Sequence, residues 1–130
     1  MTWAWPYLWV AAGAATGGAL RHGANRLGLA VVGSGFPAGT LFVNLSGCFV
    51  MGLLAGWFAF RGETSNPALR LFLTTGVLGG FTTFSAFSLD TALMWERGQA
   101  AVAAGYALTS VLGSILAVFA GLALSRSILA

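Results

Sequence analysis

Four long apolar stretches, separated by short polar or glycine-rich interruptions, dominate the pattern of residues along this chain. The first covers residues 5–27 and opens among Trp3, Trp5, Tyr7 and Trp9, aromatic side chains of the kind that settle at a membrane–water interface. Gly28 is placed to end it. The second covers residues 38–60, entered through Pro37, where a missing N–H does least harm, and left through Arg61, Gly62 and Glu63. Thr64-Ser65-Asn66-Pro67 combines capping residues with a first-turn proline and starts the third, residues 67–95. Glu96-Arg97-Gly98 is the next polar turn, and residues 99–124 form the fourth, before Arg126. A hydrocarbon core about 30 Å thick takes roughly 20 apolar residues per helix. The pattern therefore predicts an all-α membrane protein, with four transmembrane helices in a single domain over residues 1–130 and no room for an extramembrane domain.

The third stretch departs from the others. Its segment GVLGGFTTFSAFS sets three glycines, two threonines and two serines at mid-membrane depth, poor material for an uninterrupted helix. Broken backbone is tolerated there only where protein buries it or an aqueous cavity receives it, and broken helices in transporters make ion sites from freed carbonyls. A break around residues 79–85 is the expectation; the alternative is a continuous helix that uses small residues for close packing.

Composition sharpens the class. Only 7% of the 130 residues are charged and 58% are hydrophobic, whereas soluble domains carry about 25% charged residues and need them to clothe their surface. The net charge of +3 comes from six arginines against Glu63, Asp90 and Glu96, too dispersed to suggest nucleic-acid binding. With Cys48 the one cysteine and His22 the one histidine, there is no intrachain disulfide and no convincing zinc constellation. The aromatic N-terminal run lacks a positive n-region and reads as a retained first helix. Paired carboxylates, a Gly-x-Ser-x-Gly elbow and a phosphate-binding loop are missing from the sequence, which argues against an enzyme.

A few polar residues inside the spans carry candidate chemistry. Thr40 and Asn44 are four apart and share a helix face; such residues either bond neighbouring helices or donate to something that passes. Tyr106, Ser110 and Ser114 align three hydroxyls at four-residue intervals, which either pack helices or form a ladder of neutral donors able to replace an anion's water shell. Phe84 and Phe87 lie beside the expected break, as lipid-facing or core packing or as ring edges with partial positive charge that touch a small anion. Arg21 either snorkels to the interface or draws anions to a vestibule, and Asp90 suits a proton-coupling group or an interfacial ion pair. Gly13 with Gly17, and Gly52 with Gly56, favour close helix contact.

Read together, Gly18-Ala19-Leu20-Arg21, Gly39-Thr40-Leu41-Phe42-Val43-Asn44 and Gly79-Gly80-Phe81-Thr82-Thr83-Phe84-Ser85-Ala86-Phe87-Ser88 resemble the Fluc (CrcB) family of fluoride channels, along essentially the whole chain. The resemblance implies a passive, fluoride-selective channel of the bacterial inner membrane that protects the cell by letting fluoride leave. It implies an antiparallel, dual-topology homodimer in the lipid bilayer, with two pores. Asn44, Thr40 and the Tyr106, Ser110 and Ser114 track would contact fluoride, Arg21 would stand near the route, and Phe84 and Phe87 would form a phenyl box. Gly79 and Thr82 would offer backbone carbonyls to a structural sodium ion shared between subunits. Asp90 stands where the family has glutamate, and His22 where it has an aromatic residue.

The physics agrees, since fluoride is small and strongly hydrated and needs replacement donors that do not trap it with a full charge. Arginines flank the two sides three against three, Arg61, Arg70 and Arg126 against Arg21, Arg26 and Arg97, so the positive-inside rule selects neither orientation. A small dual-topology multidrug exporter is the nearest rival, but no carboxylate lies in the first span to couple protons. A non-conducting subunit that binds helices through its glycine faces is the other.

Overall fold

A computed structural model describes residues 2–130, apart from the side chain of Glu63, and among the described residues every regular element is helical. Helix α1 runs Trp5–Val32, with proline in its first turn, and α2 runs Ala38–Arg61. The third stretch divides into α3, residues 67–81, and α4, Phe84–Glu96. Helix α5, Ala100–Leu129, returns across the bundle. Three stretches are long and apolar enough to cross a membrane: Ala38–Arg61, Pro67–Glu96 and Ala100–Leu129. Helix α1 is long enough but is not among them; its second half carries Arg21, His22, Asn25 and Arg26.

The ends follow local chemistry. Asn66 caps α3, its Oδ1 accepting from the N–H groups of Ala68 at 2.9 Å and Leu69 at 3.3 Å, with Pro67 in the first position as expected. Gly62 leaves α2 at φ 55°, a left-handed conformation that suits glycine. The end expected at Gly28 is corrected: α1 continues to Val32, and Gly33, at φ 87°, caps it by donating to the Leu29 carbonyl. Gly28 serves packing instead, because a Cβ there would lie 2.7 Å from the Gly39 nitrogen on α2. The last helix likewise runs past Leu124 to Leu129.

Close packing rests on the two glycine pairs. A methyl group on Gly13 or Gly17 would run into the backbone of Phe72, Gly76 and Val77, so α1 lies directly on α3. On α2, Gly52 meets the backbone of Val118 on α5 in the same way, and Gly56 meets the Ser125 side chain. Within α3 the stretch Leu71–Leu78 is π-helical, an uncommon winding found mostly at functional sites, and Gly76 within it faces Gly13. The buried core is small, with Phe87, Met94, Ala103 and Tyr106 at its centre, while Leu20, Leu27, Phe42, Leu116, Phe119 and many other apolar side chains face outward. Such a surface suits lipid rather than water.

Candidate functional site

The break falls where glycine, threonine and serine replace branched apolar residues. Gly79–Phe81 completes the last turn of α3; Thr82, at φ −85° and ψ 157°, and Thr83, at φ −153° and ψ 122°, are extended, and α4 starts at Phe84. Thr83 caps the new helix, its Oγ1 accepting from the Ala86 N–H at 3.2 Å. Buried in the bundle, the peptide groups of Thr83 need partners, and Asn44 of α2 supplies both. Its Oδ1 accepts from Thr83 N–H at 2.7 Å and its Nδ2 donates to Thr83 O at 2.9 Å. In an unbroken helix Thr83 N–H would donate to the Gly79 carbonyl, which is thereby released. Thr82 O accepts from Arg21 Nη1 at 3.4 Å, a long contact.

Next to the clasp lies a cavity of about 260 Å³, lined by Asn44, Cys48, Thr82, Thr83, Phe84, Phe87, Ser110, Val111 and Ser114. Five of the expected pathway residues, Asn44, Phe84, Phe87, Ser110 and Ser114, thus meet on one space, and none of its lining residues is charged. Ser110 is 5% exposed, yet its Oγ has no partner within the chain, an unusual state for a buried hydroxyl. The two rings stand 5.3 Å apart but differ in setting. Phe87 is buried in the core, whereas Phe84 is 75% exposed.

The remaining candidates lie around this space. Thr40, Asp90, Arg97 and Asn25 line a second cavity of about 340 Å³, where the turn between α1 and α2 covers the end of the bundle. Tyr106, buried between the two, packs against Phe36 at 5.6 Å and Phe87 at 5.4 Å and donates its hydroxyl proton to Asp90 Oδ2 at 3.1 Å. That proton is occupied, so Tyr106 is not a free donor. Arg21 belongs to neither cavity and borders a third, with His22, Thr83 and Ser85. Sequence reasoning overlooked Thr83, Cys48 and Asn25. Thr83 was legible as a capping residue, and Cys48 as the position one helical turn beyond Asn44. Nothing in the sequence distinguishes Asn25, whose buried Oδ1 is unpartnered.

Comparison with known proteins gives a concordant result. Residues 8–122 match the family described as CrcB-like protein, Camphor Resistance (CrcB). The fluoride-specific ion channel FluC 2 of Nitrobacter hamburgensis is 53% identical over 120 residues, covering 92% of this chain and 96% of the relative. The fluoride-specific ion channel FluC of Methylobacterium nodulans is 58% identical over 114 residues, 88% of this chain and 90% of the relative. That of Rhodopseudomonas palustris is 53% identical over 122 residues, 94% and 98% of the two chains. With the match spanning α1 to α5 and taking in the break, the Asn44 clasp and the hydroxyl positions, the chain belongs to the CrcB family.

Proposed function

We propose that this chain is a multi-pass membrane channel, not an enzyme, that lets fluoride leave the cell passively across the bacterial inner membrane. Relatives covering nearly its whole length are named fluoride-specific ion channels. The observation that carries the reading is the cavity beside the break, where an unpartnered, buried Ser110 hydroxyl meets Ser114, Asn44 and two phenyl rings, with no charged side chain in the lining. A dehydrated fluoride needs donors in place of water, and a full positive charge would hold it too long to conduct. Hydroxyl, amide and ring-edge contacts meet both conditions.

The finer architecture is part of the proposal. Four spans per subunit, the third broken, would pair antiparallel with a second identical subunit in the bilayer, each polypeptide inserting in either orientation. The even division of arginines supports the dual insertion, and the exposed Phe84 ring beside the cavity supports a partner that closes that side. A sodium ion is proposed at the carbonyls of Gly79 and Thr82. The donor set fits, because these are hard oxygens at a helix break and the Asn44 clasp has removed the donor that the Gly79 carbonyl would have in a helix. Two carbonyls from one chain make half a shell, and a two-fold axis would double them. Bound there, sodium would hold two breaks in register.

The test is fluoride efflux from liposomes containing the purified protein, read with a fluoride electrode. Rapid fluoride loss with chloride retained is expected. Retention of both ions would overturn the reading.

A further inference from the structure

We infer that Arg21 opposes the proposed sodium ion at the Thr82 carbonyl, so that the first helix of each chain sets how tightly that ion is held. The inference rests on the sodium reading above and adds the residue that tunes it. Its starting point is the seam between α1 and the end of α3. Gly17 lies against the Val77 carbonyl and the Phe81 nitrogen, and Gly80 against the backbone of Ala14 and Gly18, with no room for a methyl group at either glycine. Arg21 stands one helical turn beyond Gly17 on the same face of α1, so this contact delivers its guanidinium to the first extended residue of the break. There Nη1 donates to Thr82 O at 3.4 Å.

A carbonyl oxygen has two lone pairs and can accept twice, but here both guests would be cations. Arginine keeps its proton throughout the pH range in which proteins work, so losing a charge cannot relieve the repulsion. Nor is a counter-charge at hand, since none of the residues lining the space that Arg21 borders, about 460 Å³, is a carboxylate. The bond that holds the guanidinium is long and therefore weak, and the cavity gives it room to swing away. Two unit charges within a few ångströms of one oxygen repel strongly enough, at an effective dielectric constant of about 20, to change an affinity roughly ten-fold or more. A two-fold axis that doubles the carbonyls doubles the guanidiniums with them.

The experiment uses the full-length protein purified in detergent, with radioactive sodium chloride as the probe and N-methylglucamine chloride holding the ionic strength constant. Equilibrium dialysis reads bound against free sodium, and dilution into sodium-free buffer reads its release, each per folded protein recovered by size-exclusion chromatography. The expected result for Arg21→Gln is half-saturation at a sodium concentration roughly ten-fold lower or more, with release slowed in proportion. Arg21→Met, which keeps the apolar stem and loses the charge, should do the same. Arg26→Gln removes the same charge further along α1, outside the lining of this cavity, and should bind sodium as the wild type does. Arg21 variants with wild-type affinity and release would overturn the inference, as would weaker binding in them or an equal gain in Arg26→Gln. Absence of bound sodium in wild type and variants alike would instead overturn the sodium reading.

Discussion

Asn44 uses two of its four hydrogen-bonding possibilities on Thr83. Its oxygen accepts from Thr83 N–H, one amide proton goes to Thr83 O, and a second amide proton remains for the cavity. The two readings left open in the sequence, helix-to-helix bond and donor to an ion, are therefore compatible within one side chain. Asn44→Ala strips both Thr83 peptide groups of their partner, at about 1–3 kcal/mol for each buried group left unsatisfied. Its thermal midpoint in detergent, followed by size-exclusion chromatography, should fall clearly along with fluoride efflux. An unchanged midpoint would mean that the break stands without the clasp. The two phenylalanines, indistinguishable as letters, separate by environment. Phe87→Ile should lower both stability, by about 1 kcal/mol through imperfect repacking, and efflux. Phe84→Ile, at an exposed ring, should leave the midpoint of the single chain's packing near wild type and lower efflux per folded protein. Near-normal efflux in both variants would remove the rings from the pathway.

At the scale of elements, what was legible depended on whether the cause lay nearby in sequence. The break in the third stretch was legible because Gly79, Gly80, Thr82 and Thr83 are intrinsically poor helix formers at adjacent positions. The Asn66–Pro67 start was legible for the same local reason. Gly28 was misread because a glycine that ends a helix and one that admits a neighbour look alike, and the neighbour, Gly39, belongs to another helix. The π-helical Leu71–Leu78 left no local sign, its LFLTTGVL reading as an ordinary apolar turn; its winding is visible only with α1 against it. Two alanine substitutions test the Gly28 account. Gly28→Ala should force α1 and α2 apart and cost about 1–3 kcal/mol. Gly23→Ala, five residues earlier with open space around a Cβ, should be neutral or stabilising by up to about 1 kcal/mol. Equal midpoints for the two would remove the packing role assigned to Gly28.

Across the whole molecule, the apolar surface and the polar interior stand in inverse relation to a soluble protein. Large aliphatic and aromatic side chains face outward, while Thr40, Thr83 and Ser110 are among the most buried residues. The sequence anticipated that inversion through its low charge, and it anticipated the cavity in part, since Asn44, Ser110 and Ser114 were singled out by helical spacing and Phe84 and Phe87 by their place beside the break. It did not anticipate that Tyr106 gives its proton to Asp90 or that Arg21 turns to Thr82, because both depend on how α4 and α1 are set against their neighbours. Among the groups left for an anion, the buried Ser110 hydroxyl, which has no partner within the chain, decides between a pathway and a packed core. Removing a buried hydroxyl that has no protein partner costs a fold nothing. Removing a donor to fluoride forfeits a charge-assisted hydrogen bond, about 1.5–3 kcal/mol and hence roughly a ten-fold or larger loss of rate if the ion binds there on its way. The measurement is therefore fluoride efflux per folded protein for Ser110→Ala, alongside its thermal midpoint. The account predicts efflux reduced roughly ten-fold or more with the midpoint equal to or above wild type, and normal efflux with a lowered midpoint would contradict it.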